Sequence, residues 1–129
     1  MSQDNVRVVQ RLYEAWARAE FPAPDGLLHP EVEYVNPDGA VEPGIRRGVD
    51  EFLAATQRVL EGWESWAMEP ESLTAVGDQV AVVVRYRAVA RASGIEVEGR
   101  ESALLTVRDG QIVRYEWFHG PDDALAAAV

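Results

Sequence analysis

The sequence RYEWFHG, residues 114–120, places the carboxylate of Glu116 three positions before His119, one of only two histidines in the chain. A carboxylate and an imidazole that reach the same ligand can move protons near neutral pH. Side chains alternate along a strand, so Glu116 and His119 point to opposite faces and are not predicted to be a pair. Tyr115 and Trp117 share the face of His119, which we assign to the interior. His119 is therefore a candidate general base or, alternatively, a structural hydrogen-bonding residue.

A second polar group interrupts a short apolar strand that ends in Tyr34-Val35-Asn36-Pro37. Alternation places Tyr34 and Asn36 on one face. The Asn36 amide can orient a carbonyl, a hydroxyl or a water, but it cannot accept a proton as a general base at neutral pH. In the alternative interpretation, Asn36 caps the strand end and Tyr34 forms part of a wall.

Two arginines, Arg85 and Arg87, share a face of a valine-rich strand. A buried arginine needs a carboxylate partner, and Glu101 on the next strand is the candidate. Glu101 and Arg85 are thus predicted to belong to a catalytic group with Asn36 and His119. The alternative is a solvated or dimer-face ion pair at the two arginines.

A further set of mostly apolar residues is predicted to line a substrate pocket. Four tryptophans in so short a chain suggest a wide aromatic wall suited to a flat apolar ligand, although such residues are more often core. The predicted pocket residues are Tyr13, Trp16, Tyr34, Phe52, Trp63, Trp66, Met68, Arg87, Leu105 and Trp117.

The composition excludes several kinds of chemistry. The absence of cysteine rules out disulfides, thiolate metal sites and a cysteine nucleophile, and two histidines give no metal-ligand spacing. No glycine-rich phosphate loop, dinucleotide fingerprint or Gly-x-Ser-x-Gly elbow occurs. Chemistry without a metal or cofactor, or no chemistry, is what we expect.

The charge balance bears on partners and location. The chain has 129 residues and a formal net charge of −10, without a basic run, so nucleic acid is not an expected partner. No apolar run approaches the roughly 18–20 residues of a membrane helix, and no signal peptide is visible. We expect a cytoplasmic protein that binds a hydrophobic small molecule and does not bind membranes.

The periodicity predicts an α+β fold in one domain, residues 1–129. Helices are expected over about 4–19, 24–29 and 49–63, strands over 32–35, 66–75, 80–90, 95–108 and 112–119, and a short helix after Pro121. A strongly curved, cone-shaped antiparallel or mixed β-sheet would wrap around the N-terminal helices as an α+β barrel, with a pocket at its wide end.

Several segments together carry a family resemblance. They are VVQRLYEAW, HPEVEYVNP, RRGVDEFLAA, VGDQVAVVVRYR, TVRDGQIVRYEWF and DDALAAA. In this order and spacing the chain resembles the SnoaL-like, polyketide cyclase-like group of the nuclear transport factor 2-like superfamily over essentially its whole length. The resemblance implies the cone-shaped fold, an apolar cavity with a few polar groups at its base, and a homodimer formed through the outer sheet face.

The resemblance also implies where acids would stand, and the chain departs from the pattern. Counting from the Asp109-Gly110 turn, the aspartate that polyketide cyclases and epoxide hydrolases carry on the last strand falls on Trp117; a one-residue shift would select Glu116. The ketosteroid isomerase aspartate before the proline is Asn36 here. Arg87 replaces the aspartate of the epoxide hydrolase Arg-x-Asp pair.

Three functions remain open. The first is a cofactor-independent, SnoaL-like enzyme that acts on a hydrophobic carbonyl compound, polyketide- or steroid-like, by acid–base chemistry through His119 or Glu101. In that case Asn36, Tyr34 and Arg85 would orient the substrate or stabilise an enolate-type oxyanion. The alternative is a non-catalytic dimeric binding protein for a hydrophobic small molecule. A limonene-type epoxide hydrolase comes third.

Overall fold

The computed structural model describes residues 2–40 and 42–128, and it confirms the predicted α+β class. The helices are α1 (Ser2–Ala17), α2 (Val49–Glu61) and α3 (Asp123–Ala127). The strands are β1 (Leu28–Asn36), β2 (Gly44–Arg47), β3 (Trp63–Val76), β4 (Gln79–Ala90), β5 (Glu96–Arg108) and β6 (Gln111–Phe118).

The six strands form one mixed sheet in the order β2-β1-β6-β5-β4-β3. Only the β1–β6 pair is parallel within this sheet; the other neighbours are antiparallel. The pairing shifts register twice along β3 and once along β5, between Thr106 and Val107. Such irregularities bend a strand and increase its twist, so they help the sheet to curve around α1 and α2.

The two long helices pack an apolar stripe against the concave face of the sheet. Val9 and Leu12 of α1 are completely buried, as is Phe52 of α2. They meet inward-facing residues of the central strands, such as Val82 and Leu105. Helical spacing of three and four residues brings the apolar side chains of each helix onto one face, which is why both helices were predictable.

Two sequence predictions differ from the structure in the N-terminal half. The helix predicted over 24–29 is wrong, because residues 25–27 form a turn and β1 already begins at Leu28. The burial of Leu27 and Leu28 and the hydrogen bond from the Ile112 N–H to the Leu27 carbonyl hold this segment against β6. The four-residue strand β2 was not predicted, because it directly follows a proline- and glycine-rich loop.

The outer face of the sheet is divided into two parts. At one end α3 covers it, where Ala124 packs with Ala81 and Leu104. The buried Ser102 hydroxyl donates to the Gly120 carbonyl at 2.6 Å and accepts from the Ala124 N–H at 3.0 Å. The other end carries exposed charged side chains. Within the described ranges, no helix is long and apolar enough to cross a membrane.

Candidate functional site

An apolar chamber of about 130 Å³ lies between the helices and the concave face of the sheet. Aromatic and aliphatic side chains dominate its wall, and one carboxylate joins them. The lining residues are Trp16, Phe21, Tyr34, Thr56, Val59, Leu60, Trp66, Met68, Glu101, Tyr115 and Trp117. We call this space the inner chamber.

Glu101 enters the inner chamber because of its register on β5. It lies opposite Val84 of β4, which is completely buried, and alternates onto the same face as Ala103 and Leu105. No hydrogen bond or ion pair to the Glu101 carboxylate occurs among residues 2–40 and 42–128. Burial raises the pKa of Glu101 to about 7, because the apolar surroundings penalise the charged form. Glu101 is thus a mostly buried carboxyl that holds or releases a proton near neutral pH.

Three buried tyrosines, Tyr13, Tyr34 and Tyr115, interact electrostatically with this carboxyl. The Tyr34 and Tyr115 rings stack with centroids 5.4 Å apart, and both line the inner chamber. The Tyr13 hydroxyl is buried and makes no well-formed hydrogen bond with the described residues. Burial, reinforced by the charge of Glu101, raises the pKa of all three hydroxyls above the ordinary value for tyrosine. They therefore remain protonated and act as hydrogen-bond donors, not as bases.

A second, wider space of about 460 Å³ adjoins the inner chamber, and we call it the outer chamber. The two chambers share Tyr34, Val59, Trp66 and Trp117 in their walls. The outer chamber is more polar: its wall includes Asn36, Glu42, Arg46, Arg58 and His119. A ligand that spans both spaces would meet an apolar interior and a polar mouth.

The Asn36 side chain lies in the wall of the outer chamber and contacts Trp117, which lines both chambers. Its Oδ1 accepts a hydrogen bond of 2.6 Å from the indole N–H of Trp117, and its Nδ2 donates to the Glu42 carbonyl at 2.8 Å. Both ends of the amide are therefore engaged. Asn36 holds the Trp117 ring and the following loop in place, which fits a positioning role better than direct contact with a reacting group.

His119 lies at the rim of the outer chamber. Its ring meets Trp117 edge-on, with centroids 4.9 Å apart, and a Cβ added at Gly39 would lie 3.1 Å from its Nε2. Glu101 lines the inner chamber and His119 the outer one, so the structure does not bring these two candidates into one wall. Glu116 points to the other side of β6, where it lies 3.6 Å from an Arg114 nitrogen. The prediction that Glu116 and His119 face opposite sides is confirmed.

The prediction that Glu101 pairs with Arg85 is wrong. Arg85 stands opposite Arg100, on the outer face of the sheet, whereas Glu101 points inward. Arg85 instead lies 3.7 Å from Glu71. Both predicted arginines are exposed, and Arg87 pairs with Glu96 and Glu98 on the same outer face. Neither arginine lines either chamber. The β4–β5 turn sets the register of the two strands, and this register points both arginine side chains outward.

The other predicted pocket residues divide into wall and support. Trp16, Tyr34, Trp66, Met68 and Trp117 line the inner chamber, and Trp63 lines the outer one. Tyr13, Phe52 and Leu105 lie in the core that supports this wall.

Sequence reasoning missed Phe21, Arg46 and Arg58. Phe21 lies in an irregular segment and Arg46 on the unpredicted β2. Arg58 lies on α2 directly before Val59, a residue of the apolar stripe. Helical spacing therefore places Arg58 at the edge of the buried face.

The match to a family model decides the family. Residues 9–115 match the model of the SnoaL-like domain. This chain belongs to the SnoaL-like domain family. An uncharacterized protein of Mycobacterium tuberculosis is 30% identical over 115 residues, which cover 87% of this chain and 86% of that protein.

Solved structures agree on the fold. A nuclear transport factor 2-like protein of unknown function from Burkholderia pseudomallei superposes with a TM-score of 0.81 at 22% identity, covering 98% of both chains. A putative SnoaL-like polyketide cyclase from Jannaschia sp. gives a TM-score of 0.80 at 21% identity, covering 98% of this chain and 92% of that one. The predicted nuclear transport factor 2-like fold is thereby confirmed, and the family relationship supports a small-molecule enzyme or binding protein.

Proposed function

We propose that this SnoaL-like protein is a cofactor-independent enzyme that moves a proton on a hydrophobic carbonyl compound, with Glu101 as its acid–base group. The observation that carries this proposal is a lone, mostly buried carboxyl in an apolar chamber, and this burial raises the pKa of Glu101 to about 7. A carboxyl at its ordinary pKa would be a weak base, whereas one near 7 is matched to proton transfer at neutral pH.

In the proposed reaction the flat apolar part of the substrate lies against Trp66 and Trp117. The ionised Glu101 carboxylate removes a proton from the carbon next to the carbonyl group. The electron pair of the broken C–H bond moves onto the carbonyl oxygen and forms an enolate. In an isomerisation, Glu101 returns this proton to a different carbon of the conjugated enolate, which restores the carbonyl group and the carboxylate. In a ring closure, the enolate carbon instead attacks a second carbonyl carbon of the substrate, and the proton on Glu101 passes to the alkoxide oxygen that forms.

The tyrosine hydroxyls are the proposed donors to the developing enolate oxygen. Tyr34 and Tyr115 line the inner chamber together with Glu101, and both stay protonated because burial raises the pKa of each hydroxyl. Preorganised donors in a water-poor site stabilise charge that appears only in the transition state. Trp117 is held by Asn36, so the chamber wall is already ordered before the ligand binds.

A non-catalytic binding protein is the second candidate, because Trp117 and Asn36 stand where the family resemblance places catalytic aspartates. In either case the inner chamber, at about 130 Å³, is below the range of about 300–1,000 Å³ that is typical of ligand pockets. A ligand would have to extend into the outer chamber. A homodimer through the outer sheet face remains a proposal in both cases. The epoxide hydrolase interpretation loses support, because Arg85 lies on the other face from Tyr34 and Glu101.

Proton exchange into deuterated water tests the enzyme directly. The protein is incubated with flat hydrophobic ketones, and NMR follows the loss of the proton next to the carbonyl group. We expect the Glu101→Gln variant to exchange at least about 10²-fold more slowly than the wild type, since loss of a general base costs about 10²–10⁴-fold.

The matched control is Glu98→Gln, which changes a carboxylate on the same strand that is exposed and paired with Arg87. It should exchange like the wild type. Equal rates in the wild type and Glu101→Gln would overturn the catalytic role of Glu101. Tight binding of ketones without any exchange would select the binding protein.

A further inference from the structure

The outer chamber contains two cationic side chains that the proposed proton transfer does not use. The chain has 12 arginines and no lysine, and among the described arginines only Arg46 and Arg58 line the two chambers. The chain as a whole has a net charge of −10, so cations in a cavity wall stand out against their surroundings. They indicate a ligand feature beyond a flat apolar ring.

The pairing of β2 with β1 aims Arg46 into the cavity. Arg46 stands opposite Tyr34, a residue of both chamber walls, whereas its neighbour Arg47 stands opposite Glu33 and faces outward. The Arg46 side chain is 26% exposed and that of Arg47 is 71% exposed. Two successive arginines thus differ in which face of the strand they occupy, which makes Arg47 a matched control.

Glu42 is the only carboxylate in the outer chamber wall among the described residues. Both of its oxygens contact a single nitrogen, Nη1, of Arg58, and one oxygen lies 3.6 Å from Nη2 of Arg46, too far for a hydrogen bond. Two guanidinium groups therefore share one carboxylate. The chamber keeps an excess of positive charge and several N–H donors for which no hydrogen bond is recorded within the described residues.

Guanidinium groups bind planar anions such as carboxylates through pairs of N–H donors. We propose that the ligand of this pocket carries a carboxylate or a similar planar anionic group, which binds Arg46 and Arg58 in the outer chamber while the apolar ring system occupies the inner chamber beside Glu101. This inference rests on the proposed function only in placing the ligand in this pocket. The inference narrows the proposed substrate class from hydrophobic carbonyl compounds in general to those that also carry a carboxylate or a similar anionic group.

The competing explanation is structural. Glu42, Arg46 and Arg58 could form a latch that ties the loop after Asn36 to α2, with no contact to the ligand. The two explanations predict different results for Glu42→Gln. If the arginines bind the ligand, removal of the carboxylate frees both guanidinium groups for an anionic ligand. If the cluster is only structural, the substitution weakens the attachment of the loop to α2 and nothing else. This contrast makes Glu42 the most informative position.

The experiment measures binding by quenching of tryptophan fluorescence, so it does not depend on turnover. The probes are naphthoate, naphthylacetate and naphthylpropanoate, each compared with its uncharged primary amide, because the series varies the reach from ring to anion. The readout is the ratio of acid to amide affinity in the wild type and in Arg46→Gln, Arg58→Gln, Glu42→Gln and the control Arg47→Gln.

We expect at least one acid to bind more tightly than its amide, and each of Arg46→Gln and Arg58→Gln to reduce that preference about tenfold. Arg47→Gln should leave it unchanged, and Glu42→Gln should increase it. The proposal is overturned if acids and amides bind alike in the wild type, if the arginine variants weaken both equally, or if Glu42→Gln lowers the preference.

Failure of this inference is distinguishable from failure of the proposed function. If acids bind more tightly than amides but proton exchange is equally fast in the wild type and in Glu101→Gln, the acidic ligand class is retained and the catalytic role of Glu101 is rejected. Proton exchange that depends on Glu101 and shows no preference for acids would do the reverse.

Discussion

The two faces of β5 place charged side chains in different environments: the outer face exposes and pairs them, whereas the inner face buries one without a described partner. The successive residues Arg100 and Glu101 show the difference. The Arg100 side chain is exposed on the outer face, where its Nε donates to Glu71 at 2.7 Å. Glu101 points into the inner chamber without a described partner, and its pKa rises to about 7. Paired charges in water contribute little to stability in either direction. A buried carboxyl without a partner opposes folding when it ionises, so its presence points to function.

The largest expected effect is a difference in the free energy of unfolding between apolar substitutions on the inner and outer faces of β5. Leu105 is completely buried in the main core, whereas Leu104 is buried in the small cluster beneath α3. We expect Leu105→Ala to lower the free energy of unfolding by about 3–5 kcal/mol and Leu104→Ala by about 2 kcal/mol, because the smaller cluster relaxes more easily around a cavity. Urea denaturation measures both. Equal losses would show that the faces are packed alike.

The next effect concerns Glu101 and pH. The folded chain retains the Glu101 proton up to about pH 7, whereas the unfolded chain releases it near the ordinary pKa of 4.5. The wild type should therefore lose about 3 kcal/mol of stability from this residue as the pH rises from about 4.5 through about 7. The free energy of unfolding of Glu101→Gln, relative to that of the wild type, should therefore be higher at about pH 8 than at about pH 5, by up to about 3 kcal/mol.

The control for this comparison is the paired carboxylate of the outer face. Glu98→Gln replaces an exposed carboxylate, which lies 3.2 Å from Arg87, with an uncharged amide and should follow the wild-type pH dependence. A stability difference between Glu101→Gln and the wild type that stays constant over the pH range would contradict the burial of an ionisable Glu101.

A smaller effect tests whether Asn36 orders the chamber wall. Trp117→Phe removes the indole N–H that donates to Asn36 and should cost about 1 kcal/mol beyond the loss of ring area. Trp66→Phe is the control, since no hydrogen bond from its indole is recorded within the described residues. Amide hydrogen exchange of the loop after Asn36 should become faster only in Trp117→Phe. The same change in both variants would remove the positioning role from Asn36.

The smallest effect belongs to the exposed ion pairs. Arg85→Gln breaks a contact of 3.7 Å with Glu71 on the outer face, and both partners are accessible to water. We expect a loss of less than about 1 kcal/mol, reduced further by salt. Urea denaturation at low and high ionic strength measures it. A loss of several kcal/mol would mean that the outer face is covered in solution, as a homodimer would cover it.

Periodicity and turn signals were sufficient for most of the fold. The helical stripe containing Phe52 and the alternation along β6 predicted which side chains point inward, including Trp117. Alternation alone could not show that Glu101 and Arg85 point to opposite faces of the sheet. The relation of Glu101 to Arg85 depends on the register across the β4–β5 turn, and a shift of one residue exchanges the two faces.

The outer chamber was harder to foresee. Arg46 becomes informative only once β2 is known to pair with β1, and a four-residue strand after a proline- and glycine-rich loop has a weak sequence signal. The environment of Glu101 is likewise a tertiary property, because its apolar wall comes from segments as distant as Trp16 and Tyr115. Sequence identified the carboxyl as a candidate, and packing explains its raised pKa.

The ionisation of Glu101 is the central property of the proposed acid–base site, and it can be measured directly. NMR of carboxyl carbons in glutamate-labelled protein, with the Glu101 signal assigned from its loss in Glu101→Gln, gives the titration of this one group. We expect an apparent pKa of about 7 for Glu101, shifted by ligands that fill the inner chamber. A pKa near the ordinary value of 4.5 would show a solvated carboxylate and contradict the proposed acid–base site.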